Sequence, residues 1–471
     1  MVSISMLSTL SCERFFDPDI SNTLAEKDAY NEALSSRAAV NGLYSLAQDL
    51  MTSYVILGEL RADMLQITPD AGQDLQDIFN LVQNPDNALL LQLKAYHLIA
   101  NCNDVIYHLE EVMKSPVSYE KDLNNMFAEA VTMRSWTFFY LLRTFGSVPY
   151  LTGEYAAEGS RQSIDAWLED NATGLVTVAQ LIADTEEILS DFNPSAISAT
   201  QYFNLASANA LLGEMHLWEN QYEEAVESLL ASVRTSSNRF ILDSDLQTTK
   251  WANIFKGDET ANDEIMTKIL FNKTEKQEND LVPVFSGVSP NTRQLQPTAA
   301  ILTAITGTHR FAGTFKNSAE VGKYTRTATN PYLSDMPVIL YRAADVHLML
   351  AEAYANMGEI KIALDLLNNG SDSLFTPASM GIRGRLSLSS VALTGTSAQD
   401  SIVKMENLII TERGREMAFE GKRYFDLLRI AKRRNNPDFL SDHVMLRFAD
   451  PDTLFIRTFF NNPANWYLPF E

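Results

Sequence analysis

Toward the C-terminal end of this sequence, Arg413, Arg415, Lys422 and Arg423 interleave with Glu412, Glu416, Glu420 and Asp426. Arg134, Arg342, Asp345 and Glu352 add further charges within otherwise apolar stretches. On paper such a set holds the acids and cations of an active site. Networks that tie helices together have the same look, and we read these residues as structural ion pairs and hydrogen bonds. The other chemistry-bearing residues point no further. His97, His108, His216, His309, His347 and His443 show no HExxH arrangement or paired metal spacing, and the chain has no GxSxG elbow, P-loop or GxGxxG. A glycosidase needs only two carboxylates, but among 60 acidic residues no pair is singled out. The expectation is a protein with no catalytic residues, no bound metal and no cofactor.

The elements that must hold these charges read as helices joined by short loops. Ala25 to Leu50, Leu89 to Met113 and Phe127 to Arg143 are helical in pattern. The second half of the third is almost wholly apolar, and Gly146 and Pro149 stop it. Trp136 and Trp218, on helix faces, belong to the core. Glu412 to Arg429 reads as one helical stretch, with Met417, Gly421, Tyr424 and Leu428 on one face. Two segments share an internal pattern: Leu212-Gly213, Ala225 and Leu229 in the first, and Leu350-Ala351, Ala363 and Leu367 in the second. Small residues at these offsets let paired helices approach closely, as in tetratricopeptide repeats. The fold class is therefore mainly α, a scaffold of tetratricopeptide-like helix pairs interrupted at 64–87, 238–337 and 370–399. Within the second interruption Lys250-Trp251, Ile265 to Phe271 and Leu281 to Phe285 read as short strands. Long loops on a rigid scaffold are where binding residues sit.

Composition narrows the partners. Thirty-seven Lys and Arg against 60 Asp and Glu give a net charge of −23, which repels nucleic acid and anionic lipid but not neutral ligands. Cys102 lies in a helical pattern and reads as a buried small hydrophobe. Cys12 follows a short run of apolar and small residues, Val2 to Leu10, far below the roughly 20 residues of a membrane span. Charged Glu13 and Arg14 come directly after it. This is the pattern of a secretory signal ending in a lipoprotein cleavage site, with Cys12 acylated and the chain beginning inside its signal. The expected division is a partial signal and lipobox at 1–12 and a single domain over 13–471.

The stretch Glu412 to Arg429 closely resembles the C-terminal signature of the SusD/RagB family of outer-membrane nutrient-binding lipoproteins. Other stretches resemble that family in the same order. They are Glu13-Arg-Phe-Phe-Asp17, Ala38-Ala-Val-Asn-Gly-Leu-Tyr44, Gly58-Glu-Leu-Arg-Ala-Asp63, Asn101-Cys-Asn-Asp-Val-Ile106, Ala128 to Arg134 through Phe145-Gly-Ser-Val-Pro149, Tyr341-Arg-Ala-Ala-Asp345 into Leu350-Ala-Glu-Ala-Tyr354, and Trp466-Tyr-Leu-Pro469. The resemblance implies a tetratricopeptide-like α-superhelical scaffold with an irregular ligand face. It also implies a surface lipoprotein of the outer membrane that binds oligosaccharides without hydrolysing them. Such a protein acts as the lid of a SusC-type TonB-dependent transporter and hands ligand to it. A peptide-binding member of the same uptake family, or a helical glycoside hydrolase, are the alternatives. In this family ligand residues come from the loop after the Arg-Ala-Asp segment and from the central insertion. That nominates Asp63, Gln66, Asp70, Gln73, Asp74 and Phe79 in the first, and Trp251, Phe285, Arg293, Tyr324 and Tyr332 in the second. Flat aromatic faces would meet the C–H surface of a sugar, and polar groups its hydroxyls.

Overall fold

A computed structural model describes residues 33–114, 119–152, 172–238, 248–255, 264–272, 279–287, 292–325, 336–371, 380–393 and 397–470, with Tyr30, Leu242, Gln277, Leu374 and Phe375 as isolated positions. Cys12 and Tyr332 lie outside the described residues. Helix α1 (Ala33–Glu59) packs on α3 (Gln92–Met113) and α4 (Glu120–Phe145), and the short α2 (Gln73–Phe79) follows α1 across a loop. The start of the first helix as read, Ala25, lies outside the described residues; the helix read as ending at Met113 does so, and the other ends shift by up to about two and a half turns. The largest gain is at the C-terminal end of α1, where Tyr54 to Glu59 continue the helix and are buried.

The tetratricopeptide pattern holds. Leu205–Trp218 pairs with Tyr222–Asn238, and Ala343–Asn356 pairs with Ile360–Leu367. The helix Ala343–Asn356 also packs on Tyr222–Asn238, so the two pairs stack although a long insertion separates them. A Cβ built on Gly213 would come 2.4 Å from Cγ of Leu229, which shows why the offset calls for a small residue. Asn204 caps the first pair, its side chain accepting from the N–H groups of Ala206 and Ser207.

Among the described residues three antiparallel two-stranded ribbons form: β1 (Leu65–Ile67) with β5 (Leu295–Pro297), β2 (Pro149–Leu151) with β3 (Ala172–Leu175), and β4 (Ile265–Ile269) with β6 (Val338–Arg342), the first and third of which pin the insertions. Of the three strands expected in the central insertion, only the one at Ile265 forms. Lys250-Trp251 falls in the helix Thr248–Ile254, and Leu281–Phe285 is itself a short helix. Short apolar runs carry too little periodicity to separate the two states.

The run Glu412 to Arg429 is not one helix. Ala398–Glu416 ends, the chain turns through Phe419 (φ 69°) and Gly421 (φ 80°), and Arg423–Arg434 begins. The turn exists because α1 abuts it: a Cβ on Gly58 would lie 2.0 Å from the carbonyl oxygen of Gly421. Glu59 Oε1 then accepts from the N–H groups of Gly421 (2.9 Å) and Lys422 (3.0 Å), neutralising the free end of the following helix. Burial dominates over these bonds and pushes the Glu59 carboxyl up to about 8.

The charged residues are structural, and their partners come mostly from other elements. Arg342 Nη1 lies 2.6 Å from Glu264 Oε1 and 2.9 Å from Glu416 Oε1, while its Nη2 lies 2.8 Å from Glu420 Oε1. Arg310 and Arg385 also bind Glu416, and Lys323 binds Glu420. Arg413 joins Asp345 to Asp426, and Arg429 joins Glu352 to Asp426. Burial disfavours the Glu352 carboxylate, but Arg429 and Arg433 outweigh it and hold the group at about 2. Arg134 reaches Asp184 at 2.9 Å. Cys102 is a free thiol inside the core.

Two outcomes follow. Gly58→Ala should destabilise the protein by about 3 kcal/mol or more, because the obstacle is backbone, whereas Gly213→Ala should cost only about 1–2 kcal/mol as Leu229 shifts; equal losses in chemical denaturation would refute this. Stability should also vary with pH in two limbs. Glu352, depressed in the fold, stabilises above its ordinary 4.5 and loses that contribution as pH falls through about 2. Glu59, raised in the fold, contributes fully below 4.5 and loses its contribution as pH rises through about 8. Glu59→Gln should therefore flatten the alkaline limb and leave the acid limb in place, as read from denaturation midpoints across pH.

Candidate ligand-binding site

Asp63, the first nominee, follows α1 at the entry to β1. Arg423 donates from Nε to its Oδ1 (2.8 Å) and from Nη2 to its Oδ2 (2.7 Å). Burial works against its charge, but the guanidinium prevails and holds the carboxyl below its usual range. Asp63 is a buried anchor, not a ligand group. Its role is to fix where the next residues emerge.

Those next residues form a polar ledge. Gln66 of β1 stands directly opposite Gln296 of β5, and both are partly exposed. Residues paired across a ribbon share a face, and that face is opposite to the one on which Leu65 and Leu295 are buried. Beyond β1, Thr68 donates from its hydroxyl to the Arg293 carbonyl at 2.6 Å, and Gln294 Oε1 accepts from the Gly72 N–H at 3.0 Å. Asp70 and Gln73 are exposed at the ledge's edge. Gln73 donates to Asp77 Oδ1 at 2.6 Å, and Asp74 Oδ1 accepts from the Ala88 N–H at 3.2 Å, which stiffens the loop from within. Arg293 is partly buried, and its Nη2 lies 3.3 Å from Gln296 Oε1. The ribbon, with the bonds from Thr68 and Gly72, thus brings Gln66 and the loop that carries Asp70, Gln73 and Asp74 onto the segment of Arg293 and Gln294, from far apart in the chain.

The four nominated aromatics among the described residues are elsewhere. Phe79 is buried against Phe448, with the Arg447 guanidinium over its ring. Trp251 is fully buried in a small second core with Phe255, Ile265, Met336, Ile339 and Leu386. Phe285 stacks on Tyr324 with ring centroids 5.8 Å apart, and the Tyr324 hydroxyl donates to the Phe419 carbonyl at 2.7 Å. All four are corrections: apolar surface of this size is worth more inside a core than at a loop tip, and loop position alone does not expose it.

The sequence reading missed Gln294 and Gln296. The alternation Arg293-Gln-Leu-Gln-Pro297, polar around a single Leu, carries the period-two signal of a half-buried strand. A second concavity, of about 540 Å³, opens between the start of α1, α4 and the Tyr202 loop. Its polar groups are consumed internally, Arg37 binding Glu129 at 2.6 and 3.0 Å and Asn125 donating to the same carboxylate. It lies at the opposite end of α1 from the ledge, a helix length of roughly 40 Å. Among the described residues no group of His, Cys, Asp and Glu is placed to hold a metal ion, and no helix is long and apolar enough to cross a membrane.

Asp63→Asn should cost about 3–5 kcal/mol by leaving Arg423 buried and half-paired, whereas Asp70→Asn on the ledge should change stability by no more than about 0.5 kcal/mol. Denaturant midpoints of the two variants separate anchor from surface, and similar losses would merge them.

Known proteins share this fold. A family profile described as "SusD family" matches residues 289–469, and one described as "Starch-binding associating with outer membrane" matches residues 70–202. SusD-like protein P38 of Formosa agariphila is 21% identical across 92% of this chain and 90% of its own length. A SusD superfamily structure from Bacteroides vulgatus superposes with a TM-score of 0.67 at 17% identity, covering 93% of this chain and 95% of that one. A structure described as a laminarin-binding SusD-like protein superposes at 0.65 and 17% identity, covering 92% and 95%. Likenesses at that identity establish the mainly helical, tetratricopeptide-like fold. The two profiles fall in order along the chain, and between them they hold both edges of the ledge, Asp70 to Asp74 and Arg293 to Gln296. On these grounds the chain belongs to the SusD/RagB family.

Proposed function

We propose that this protein is a cell-surface lipoprotein that binds oligosaccharides on the β1–β5 ledge and delivers them to a SusC-type TonB-dependent transporter, acting as its lid. Cys12 carries the lipid that holds it at the outer membrane, and residues 13–471 form one domain with insertions at 64–87, 238–337 and 370–399. The observation that supports this reading is the pairing of Gln66 with Gln296 across a ribbon next to Arg293, with the exposed Asp70 and Gln73 in the loop that Thr68 and Gly72 tie to the same strand. Amides, an acid and a guanidinium are the groups that take sugar hydroxyls. The laminarin-binding description of one structural neighbour supports a glycan as ligand. The protein binds its ligand and releases it intact. As a lid it needs no chemistry beyond a ligand affinity that differs between open and closed states.

Calorimetric titration with plant, host and microbial oligosaccharides, with mass spectrometry of every mixture, tests this. Saturable binding to one glycan class with the sugar uncleaved is the expected result. Gln66→Ala combined with Gln296→Ala should weaken it about tenfold. Leu34→Ala, at the mouth of the distant cavity, should leave it unchanged. Cleaved product, or a loss that follows Leu34 instead of the glutamines, would overturn the assignment.

A further inference from the structure

The guanidinium of Arg293 lacks the carboxylate partner that most of its counterparts have; Arg234, also without one among the described residues, donates to the Leu374 carbonyl away from the β1–β5 ribbon. Arg310, Arg342, Arg385, Arg413, Arg423 and Arg429 are each clamped by carboxylates. Arg61 and Arg447 have no carboxylate among the described residues, but both are sunk in the core, where they donate to the carbonyl oxygens of Trp466 and Leu60. Arg293 stands at the ligand face. Among the described residues no carboxylate pairs with it, and its Nη2 makes one long bond of 3.3 Å to Gln296 Oε1; its Nε has no partner, a feature it shares with Arg134, Arg143, Arg385 and Arg447.

A desolvated N–H without an acceptor is costly. A guanidinium offers its N–H groups as a planar fork that matches a carboxylate or a sulfate. The neighbouring Gln296 presents its oxygen to Arg293, which leaves its NH₂ to donate, and Gln66 stands beside it across the ribbon. These groups together are a set of donors around one cation. Asp70 at the exposed edge supplies an acceptor for hydroxyls further along the ligand. A neutral sugar needs no cation here. In a chain carrying a net −23, a ligand bearing negative charge needs one at the point of contact.

We infer that the ledge selects a glycan bearing an anionic substituent, a uronate carboxylate or a sulfate ester, with Arg293 as its counter-ion and Gln296 and Gln66 as flanking donors. This rests on the reading of the ledge as the glycan-binding face.

The test titrates the full chain with matched probes. Oligogalacturonate is set against its carboxyl-reduced form, carrageenan oligosaccharide against its desulfated form, and laminari-oligosaccharide serves as the neutral glycan. Binding to one acidic probe should exceed that to its neutralised partner by about tenfold or more, and whichever pair shows the difference tells carboxylate from sulfate. Arg293→Gln should remove that preference while keeping the native melting temperature, and Arg293→Lys should retain part of it. Equal affinity within both pairs, or an acidic preference untouched by Arg293→Gln, overturns the inference. Binding of laminari-oligosaccharide alone also overturns it and leaves the glycan-binding reading standing. Binding of none of the probes overturns both.

Discussion

The carboxylate of Glu416 is the point on which this structure hangs. It ends the helix Ala398–Glu416 and receives Arg310 from within the central insertion, Arg342 from the strand that follows it and Arg385 from the later insertion. With Glu264, Glu412 and Glu420 against Arg310, Lys323, Arg342, Arg383 and Arg385, the cluster interleaves acids with cations and is mostly buried. Such a cluster is no strong source of stability relative to a packed apolar core, because each ion has given up its water. Its consequence is specificity of arrangement. Removing any one member strands the others in a medium that cannot solvate them, so both insertions have a single low-energy seat on the scaffold.

From that seat the ligand face is fixed in two further steps. The turn after Glu416 brings Gly421 against Gly58, and contact at backbone distance sets the direction in which α1 ends. Asp63 then closes on Arg423, and the chain enters β1 two residues later. β5 is held on the other side by the Thr68 hydroxyl and the Gln294 amide, both bonding across the two segments. The long side chains in this path, Arg423 and Gln294, are held by hydrogen bonds to Asp63 and to the Gly72 N–H. The ledge is therefore built in the absence of ligand, which lowers the ordering cost that binding must overcome.

Much of this was legible in the sequence. The helix pairs could be read because small residues at Gly213, Ala225, Ala351 and Ala363 leave a periodic trace. The structural role of the charged signature could be read because charges amid apolar helices have few other uses. What could not be read was long-range. No local pattern says that Arg423 belongs to Asp63 or Arg342 to Glu416, and the helical period of Met417, Gly421, Tyr424 and Leu428 runs straight through a turn that only the approach of α1 makes necessary. The same limit governed the site. Gln66, Asp70, Gln73 and Arg293 fell on the ledge, while Trp251, Phe285, Tyr324 and Phe79 went inward, because whether a loop aromatic is buried depends on what the other insertion brings to it.

With the ledge as the proposed ligand face, the burial of the four described aromatics changes how recognition has to work. A stacking platform binds many sugars, since most pyranoses offer an apolar C–H face. A ledge of amides, one acid and one guanidinium gains little from apolar contact and must draw its affinity from hydrogen bonds, whose net value in water is small unless they are charged or well shielded. Its discrimination is correspondingly sharper, because a ligand that fails to satisfy a desolvated donor forfeits more than the bond itself. Of the groups present, the guanidinium is the one most able to give both charge and fixed geometry. The chemistry of the ligand is thus constrained most strongly where Arg293 stands.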